Sequence, residues 1–246
     1  MSIGYCVVCD RRTCFVLEQP WHREYYRCVR CFSSARMRSF MHVLGNEFPD
    51  WRNLTLHESS PGGPVADKLS RACAQYTSSH YFTNVVGGGS TLEGKRCENL
   101  ENLTFEDSTF DLFITQDVIE HVMNPARAFA EIARVLKPGG AHVFSVPWLG
   151  SRVTKTRAIL EAGQIQHLED PEYHRNPIDP HGSLAVTDWG VDIADIIYQH
   201  SGMQTKIYSP KDNTLGIVGE CLEVFVSHKS CPESMGYSPA LFHLYQ

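Results

Sequence analysis

The sequence predicts an α/β fold built on a mostly parallel sheet, with a small cysteine-rich segment in front. Three observations carry this. Residues 110–147 read as strand, helix, strand, the unit that joins neighbouring parallel strands. Two Cys-x-x-Cys pairs stand within the first 31 residues. A length of 246 residues suits one sizeable core plus a small appendage. Hydrophobic and charged fractions of 42% and 20% are those of a globular protein. No apolar run approaches a membrane span, and the N-terminus lacks the basic-then-apolar layout of a signal peptide. The expected location is the cytoplasm, where nine cysteines point to thiols and metal rather than disulfides.

In chain order, Cys6, Cys9, Cys28 and Cys31 come first. The two knuckles are separated by eighteen residues, inside the window for a zinc ribbon. Each turn aims two sulfurs at one centre, and two turns complete a tetrahedral thiolate shell. Such a closed shell leaves no position for substrate, so the zinc is expected to be structural. Cys14 is left over. Residues 1–40 form this segment and hold seven Arg against Asp10, Glu18 and Glu24. Arg11, Arg12, Arg23, Arg27, Arg30, Arg36 and Arg38 offer phosphate contacts, and Trp21, Tyr25 and Tyr26 offer stacking faces. The net charge of −6 and the need of a small zinc module for apolar cover argue for the other reading, a ribbon packed on the main domain. Residues 36–44 then form a connecting helix into residues 41–230.

Residues 54–57 are the first strand of the sheet. The loop Glu58-Ser59-Ser60-Pro61-Gly62-Gly63 follows, and Pro64 opens a helix carrying Val65, Leu69 and Ala72. A second strand is expected at residues 81–86, followed by three glycines, and a third ends near residues 96–100. Leu112 to Ile114 form a strand buried on both faces. Asn124 and Pro125 cap and open a helix whose Ala128, Phe129, Ile132, Val135 and Leu136 share one face. Pro138-Gly139-Gly140 stops it, and residues 141–147 form the next strand. In an open α/β sheet the ligand lies at the carboxyl ends of the strands. That places Gln116, Asp117, Glu120 and His121 at the pocket, with Pro147 and Trp148 beside it.

Phe110-Asp111-Leu112, Asp117-Val118-Ile119-Glu120-His121-Val122 and Arg134-Val135-Leu136-Lys137-Pro138-Gly139-Gly140 stand in that order. Together they closely resemble the second half of class I S-adenosylmethionine (SAM)-dependent methyltransferases, nearest the small-molecule subgroup called type 11. The resemblance spans residues 50–230 and implies a Rossmann-like sheet with helices on both faces. It also implies an antiparallel edge made by residues 204–208 and 220–226, after a helix over residues 188–201. SAM is the implied cofactor. Glu58, Ser59, Gly62 and Gly63 take the place of the family's acidic residue and Gly-x-Gly-x-Gly loop, with fewer glycines. Tyr81, Glu98, Asn99 and Leu100 correspond to contacts on ribose and adenine, although no acidic residue stands near Tyr81. Gln116 and Asp117 complete the cofactor set.

For catalysis, positioning an acceptor lone pair against the sulfonium methyl supplies most of the effect. A hydroxyl or thiol acceptor also needs a base, and His121 is the first candidate. Some family members that act on quinone-precursor hydroxyls hold a divalent cation, which suggests Asp117, Glu120 and His121 as a ligand set. Residues 151–185 form a long polar insertion, read as an ordered lid over the acceptor. Its His167, Tyr173, His174 and His181 are further candidates for binding the acceptor or taking its proton. Seven-residue steps relate the three histidines, but the intervening prolines break any helix that would align them. Residues 231–246 form a tail whose Leu241, Phe242 and Tyr245 suit a surface cover or a dimer contact. The expected partner is a small-molecule acceptor methylated at oxygen or nitrogen. Two other readings are an RNA or protein methyltransferase that docks substrate on the ribbon, and a catalytically silent interaction module.

Overall fold

The protein is described by a computed structural model covering residues 2–82, 88–148, 150–176 and 178–231. Strands β1 (Ser2–Cys6), β2 (Arg11–Leu17) and β3 (Tyr26–Cys28) make a three-stranded antiparallel sheet, with the single turn α1 (His22–Tyr25) between the last two. Helix α2 (Ala35–Glu47) follows, longer than the 36–44 expected; Ser34 accepts from the Met37 amide and caps its start. Cys6, Val8, Phe15 and Tyr26 of the first segment share one apolar cluster with Leu44, Leu56, Val65 and Leu112. Arg38, fully buried, ties the layers together by donating to the carbonyls of Tyr26, Ser33 and Gly216.

The chain then runs β4 (Thr55–Ser59), α3 (Gly63–Ala72), β5 (Gln75–His80), β6 (Thr91–Leu92), β7 (Lys95–Cys97), β8 (Phe110–Gln116), α4 (Pro125–Val135) and β9 (Leu136–Ser145). The insertion holds the short strands β10 (Lys155–Thr156), β11 (Ala158–Glu161), β12 (Gln164–His167), β13 (Tyr173–His174), β14 (Ser183–Leu184) and β15 (Thr187–Asp188). Helix α5 (Ile193–Ser201) and strands β16 (Gln204–Tyr208) and β17 (Val224–His228) follow. Among the described residues eight strands form one mixed sheet, ordered β16-β17-β9-β8-β4-β5-β7-β6. Pairing is parallel from β9 through β8, β4 and β5 to β7, and antiparallel at β17 and β6. Among the described residues no helix is long and apolar enough to cross a membrane.

Four expectations need correction. The second strand is β5, not residues 81–86, so Tyr81 lies just past the strand end; residues 83–86 fall outside the described set. β5 reads as too polar for an inner strand, yet His57 of β4 meets the hydroxyls of Thr77 and Ser79 at 2.9 and 3.0 Å. That seam satisfies the polar groups that burial would otherwise penalise. The final strand begins at Val224 rather than residue 220, and α5 begins at Ile193 rather than 188. Helix α4 ends at Val135, and Pro138-Gly139-Gly140 belongs to β9. The pairing register shifts between Phe110 and Leu112 there, with Gly139 at φ +81°, a conformation open to glycine. The tail beyond residue 231, with Leu241, Phe242 and Tyr245, lies outside the described residues.

Candidate cofactor and substrate site

β4 and β8 lie side by side in parallel register, Glu58 opposite Ile114 and Ser59 opposite Thr115. Their carboxyl ends therefore open together above the sheet. Glu58 is 1% exposed and accepts from Tyr76 Oη at 2.8 Å and Gln116 Nε2 at 3.1 Å. Burial pushes its carboxyl up to about 7, against the pull of those two hydrogen bonds. Past Ser59 the backbone turns through two left-handed residues, Ser60 at φ 54° and Gly63 at φ 67°. The Ser60 amide holds the turn by donating to Ser79 O at 2.7 Å. Gly62 is extended, and a Cβ there would meet nothing within 4 Å, so the loop faces open space. The first turn of α3 begins at that point with Pro64. A buried carboxylate, an exposed Gly-Gly backbone and a helix N-terminus together fit the ammonium and carboxylate of SAM's amino-acid end.

Asp117, also at φ 53°, is held from the N-terminal segment. Arg23, 2% exposed on α1, makes a bidentate pair with it at 2.7 and 2.8 Å. Arg36 adds a contact at 3.1 Å, and Ser145 Oγ donates at 3.0 Å. Despite desolvation, the guanidiniums of Arg36 and Arg23 hold the Asp117 carboxyl well below the usual range. Both oxygens are thus engaged, and Asp117 drops out of the cation ligand set suggested with Glu120 and His121. Arg23 and Arg36 were missed as site residues. Their signal was the arginine excess of an otherwise acidic chain, which reads equally well as a phosphate-binding stripe.

At the β7 end, Glu98 is buried and its oxygens take Arg96 Nε at 2.7 Å, the Thr104 amide at 2.9 Å and Thr104 Oγ1 at 2.6 Å. Asn99 Oδ1 accepts from the Glu101 amide, which leaves its amide nitrogen free of that bond. Leu100 is buried in the second apolar cluster with Phe113. Tyr81 is 54% exposed.

The single 3₁₀ turn Ile119–His121 follows β8 and meets the lid. The Val186 amide donates to Glu120 O at 2.8 Å, and His121 Nδ1 lies 2.8 Å from Leu184 O. β13 pairs with β14 as Tyr173 with Leu184 and His174 with Ser183. That pairing carries His174 to His121, ring centroids 4.9 Å apart and nearly perpendicular. The Glu120 carboxylate beside it raises the His174 imidazole above its ordinary value. Tyr173 is exposed, and His167 is exposed on β12. His181 is exposed and faces Asp179 at 3.1 Å. Of the lid candidates, the fold brings His174 alone to the strand ends. With Tyr173, Arg175, Asn176, Asp179 and His181 it also lines a cavity of about 550 Å³.

The four cysteine sulfurs of the first segment converge within 4.8 Å of one another. Cys6 and Cys31 are 3.7 Å apart and Cys9 and Cys28 4.0 Å. A tetrahedron with Zn–S bonds of about 2.3 Å has edges of about 3.8 Å, so the donor set fits zinc.

Comparison with known proteins adds a family match over part of the chain. Residues 59–144 match a family model described as a methyltransferase domain. The glycine/sarcosine/dimethylglycine N-methyltransferase of Actinopolyspora halophila is 26% identical over 125 residues, 50% of this chain and 22% of that protein. An uncharacterized protein of Methanocaldococcus jannaschii is 33% identical over 109 residues, 44% of this chain and 41% of its own length. The chain thus spans about a fifth and two fifths of the length of these relatives. Among solved structures, a SAM-dependent methyltransferase from Mesorhizobium loti superposes with a TM-score of 0.50 at 16% identity, over 77% of this chain and 97% of that one. A SAM-bound amino pentose methyltransferase from Micromonospora echinaspora gives 0.51 at 13%, over 80% and 92%. Residues 59–144, about a third of the chain, thus match the methyltransferase domain family, and the chain has the fold of the SAM-dependent methyltransferases.

Proposed function

We propose that the protein is a SAM-dependent methyltransferase acting on an oxygen or nitrogen of a small-molecule acceptor, with a structural zinc ion held by Cys6, Cys9, Cys28 and Cys31. The observation that carries the reading is Glu58, a buried carboxylate under an open Gly62-Gly63 loop at the start of α3. Bound SAM would supply an electrophilic sulfonium methyl. Glu58 and Gln116 would hold the ammonium, the Ser60–Gly63 backbone the carboxylate, and Asn99 the adenine edge. Arg23 and Arg36 keep Asp117 ionised and fixed, which sets the floor between β8 and β9. His121 and His174 meet where an acceptor enters beneath the lid, and they are the groups that activate it.

A small acceptor suits this site because the arginines that offered a nucleic-acid surface are partly consumed inside. Arg23 and Arg38 are buried, and Arg36 is nearly so. The A. halophila relative is named for small amine substrates, which supports the same acceptor class. Calorimetry of the metal-replete protein with SAM and S-adenosylhomocysteine tests the cofactor assignment. Saturable heat at about one site per chain is expected, and none would remove the enzyme reading. Label transferred from radioactive SAM into metabolite fractions supports the small acceptor; label in RNA or protein overturns it.

A further inference from the structure

Glu120 is 2% exposed, and neither of its carboxylate oxygens has a hydrogen-bond partner among the described residues. A buried carboxylate without hydrogen bonds or a counter-charge is costly. The nearby cations supply it only in part: Arg36 feels the Glu120 charge less than those of Asp117 and Glu24 and makes no hydrogen bond to it. Arg23 and Arg36 carry two positive charges and face Glu24 and Asp117, which carry two negative ones. Formal charge in that cluster already sums to zero before Glu120 is added.

What surrounds Glu120 is a pair of imidazoles. Glu120 Oε1 lies 3.7 Å from His121 Nε2 and 3.8 Å from His174 Nδ1, too far for hydrogen bonds. The three donor atoms are all within 4.8 Å of one another. An ion at the centre of such a triangle sits about 2.2–2.4 Å from each atom, close to the 2.0–2.2 Å of zinc–imidazole and zinc–carboxylate bonds. The outer nitrogens are also arranged as metal-bound histidines require. His121 Nδ1 is tied to Leu184 O at 2.8 Å, which places its proton there and leaves the Nε2 lone pair facing Glu120. His174 Nε2 lies 3.4 Å from Glu172 Oε1, so its Nδ1 is the inward-facing nitrogen.

We infer that Glu120, His121 and His174 form a site for a divalent first-row transition ion, separate from the four-cysteine cluster. Two imidazoles and one carboxylate select that class over magnesium or calcium, which prefer all-oxygen shells. Three protein ligands leave open positions toward the lid cavity, where a water or an acceptor oxygen would complete the shell. The ion would also fasten the lid, through His174, to the end of β8. The inference deepens the acceptor-activation role given to these histidines above, but ion binding itself does not depend on methyl transfer.

Cobalt(II) loading of the full chain tests the site. The wild type is expected to bind about two ions per chain: one with the intense thiolate charge-transfer absorption of a cysteine site, one with weaker d–d bands only. Glu120→Gln and His174→Ala should each lose one ion and the weaker bands while keeping the thiolate absorption. The lid should become several-fold more resistant to proteolysis on loading the wild type, and not in His174→Ala. Cobalt uptake by the wild type confined to the thiolate site, or unchanged stoichiometry in both variants, overturns the site. SAM calorimetry on the same samples separates the two assignments, because protein that binds SAM with cobalt at the thiolates alone loses this site and keeps the methyltransferase reading.

Discussion

Burial converts Glu58 from an ordinary carboxylate into a group that titrates near neutrality. Its folded value of about 7 lies above its ordinary value, so the native chain holds the proton more tightly than the unfolded one. The associated stability is present below the ordinary carboxylate range and is lost as pH rises through about 7. An ammonium against the carboxylate favours the ionised form, so SAM binding below that pH must release a proton. SAM affinity is therefore expected to fall about tenfold per pH unit below 7 and to level off above it. Glu58→Gln should flatten this profile and weaken binding by about 1.5–3 kcal/mol at pH 8. Calorimetric titrations from pH 5.5 to 8 read both effects; a wild-type affinity independent of pH would show that Glu58 does not meet the ligand.

At the scale of elements, the short turn α1 matters more than its four residues suggest. It inserts Arg23 beside Asp117, where the guanidinium also donates to Cys221 O at 2.8 Å. One side chain thereby joins the N-terminal segment, the β8 end and the approach to β17. Removing one partner of a buried pair strands the other charge and typically costs about 3–5 kcal/mol. Arg36 and Ser145 still hold Asp117 in Arg23→Met, so the variant should lose less, about 1.5–3 kcal/mol at pH 7, measured as a shift of the urea midpoint at constant slope. Asp117 titrates below its ordinary value in the fold, so the pair's contribution is present above the unfolded carboxylate range and lost as pH falls through the folded value. The wild-type and Arg23→Met curves should accordingly converge in acid. A midpoint unchanged at pH 7 would mean that water replaces the guanidinium without loss.

Across the whole molecule, the cysteine segment and the large sheet share one apolar cluster, from Phe15 and Tyr26 to Leu56 and Val226. Lys68 of α3 adds a link, donating to Val7 O at 2.8 Å and pairing with Asp10 at 2.7 Å. Loss of the proposed zinc would therefore loosen more than the ribbon. Stripping the metal, or replacing Cys9 with Ser, is expected to lower the melting temperature of the entire chain by more than about 10 °C in a single transition. Scanning calorimetry checks this. A separate low-temperature step with the main transition unmoved would show two independent units instead.

Local rules were enough for much of this protein. Spacing alone brought Cys6, Cys9, Cys28 and Cys31 to one centre, and the 110–147 pattern named the crossover whose strand ends carry Gln116, Glu120 and His121. Those features are legible because chain neighbours make them. The polar strand β5 was not legible, since only pairing with His57 across β4 makes its hydroxyls compatible with burial. The engagement of Asp117 by Arg23 was likewise hidden, because the partners are 94 residues apart and opposite charges carry no address. His174 was one of several equivalent lid residues until β13 paired with β14 and turned it toward Glu120. Sequence determined which side chains could do chemistry; long-range packing, which sets desolvation and charge pairing, decided which of them remain available for it.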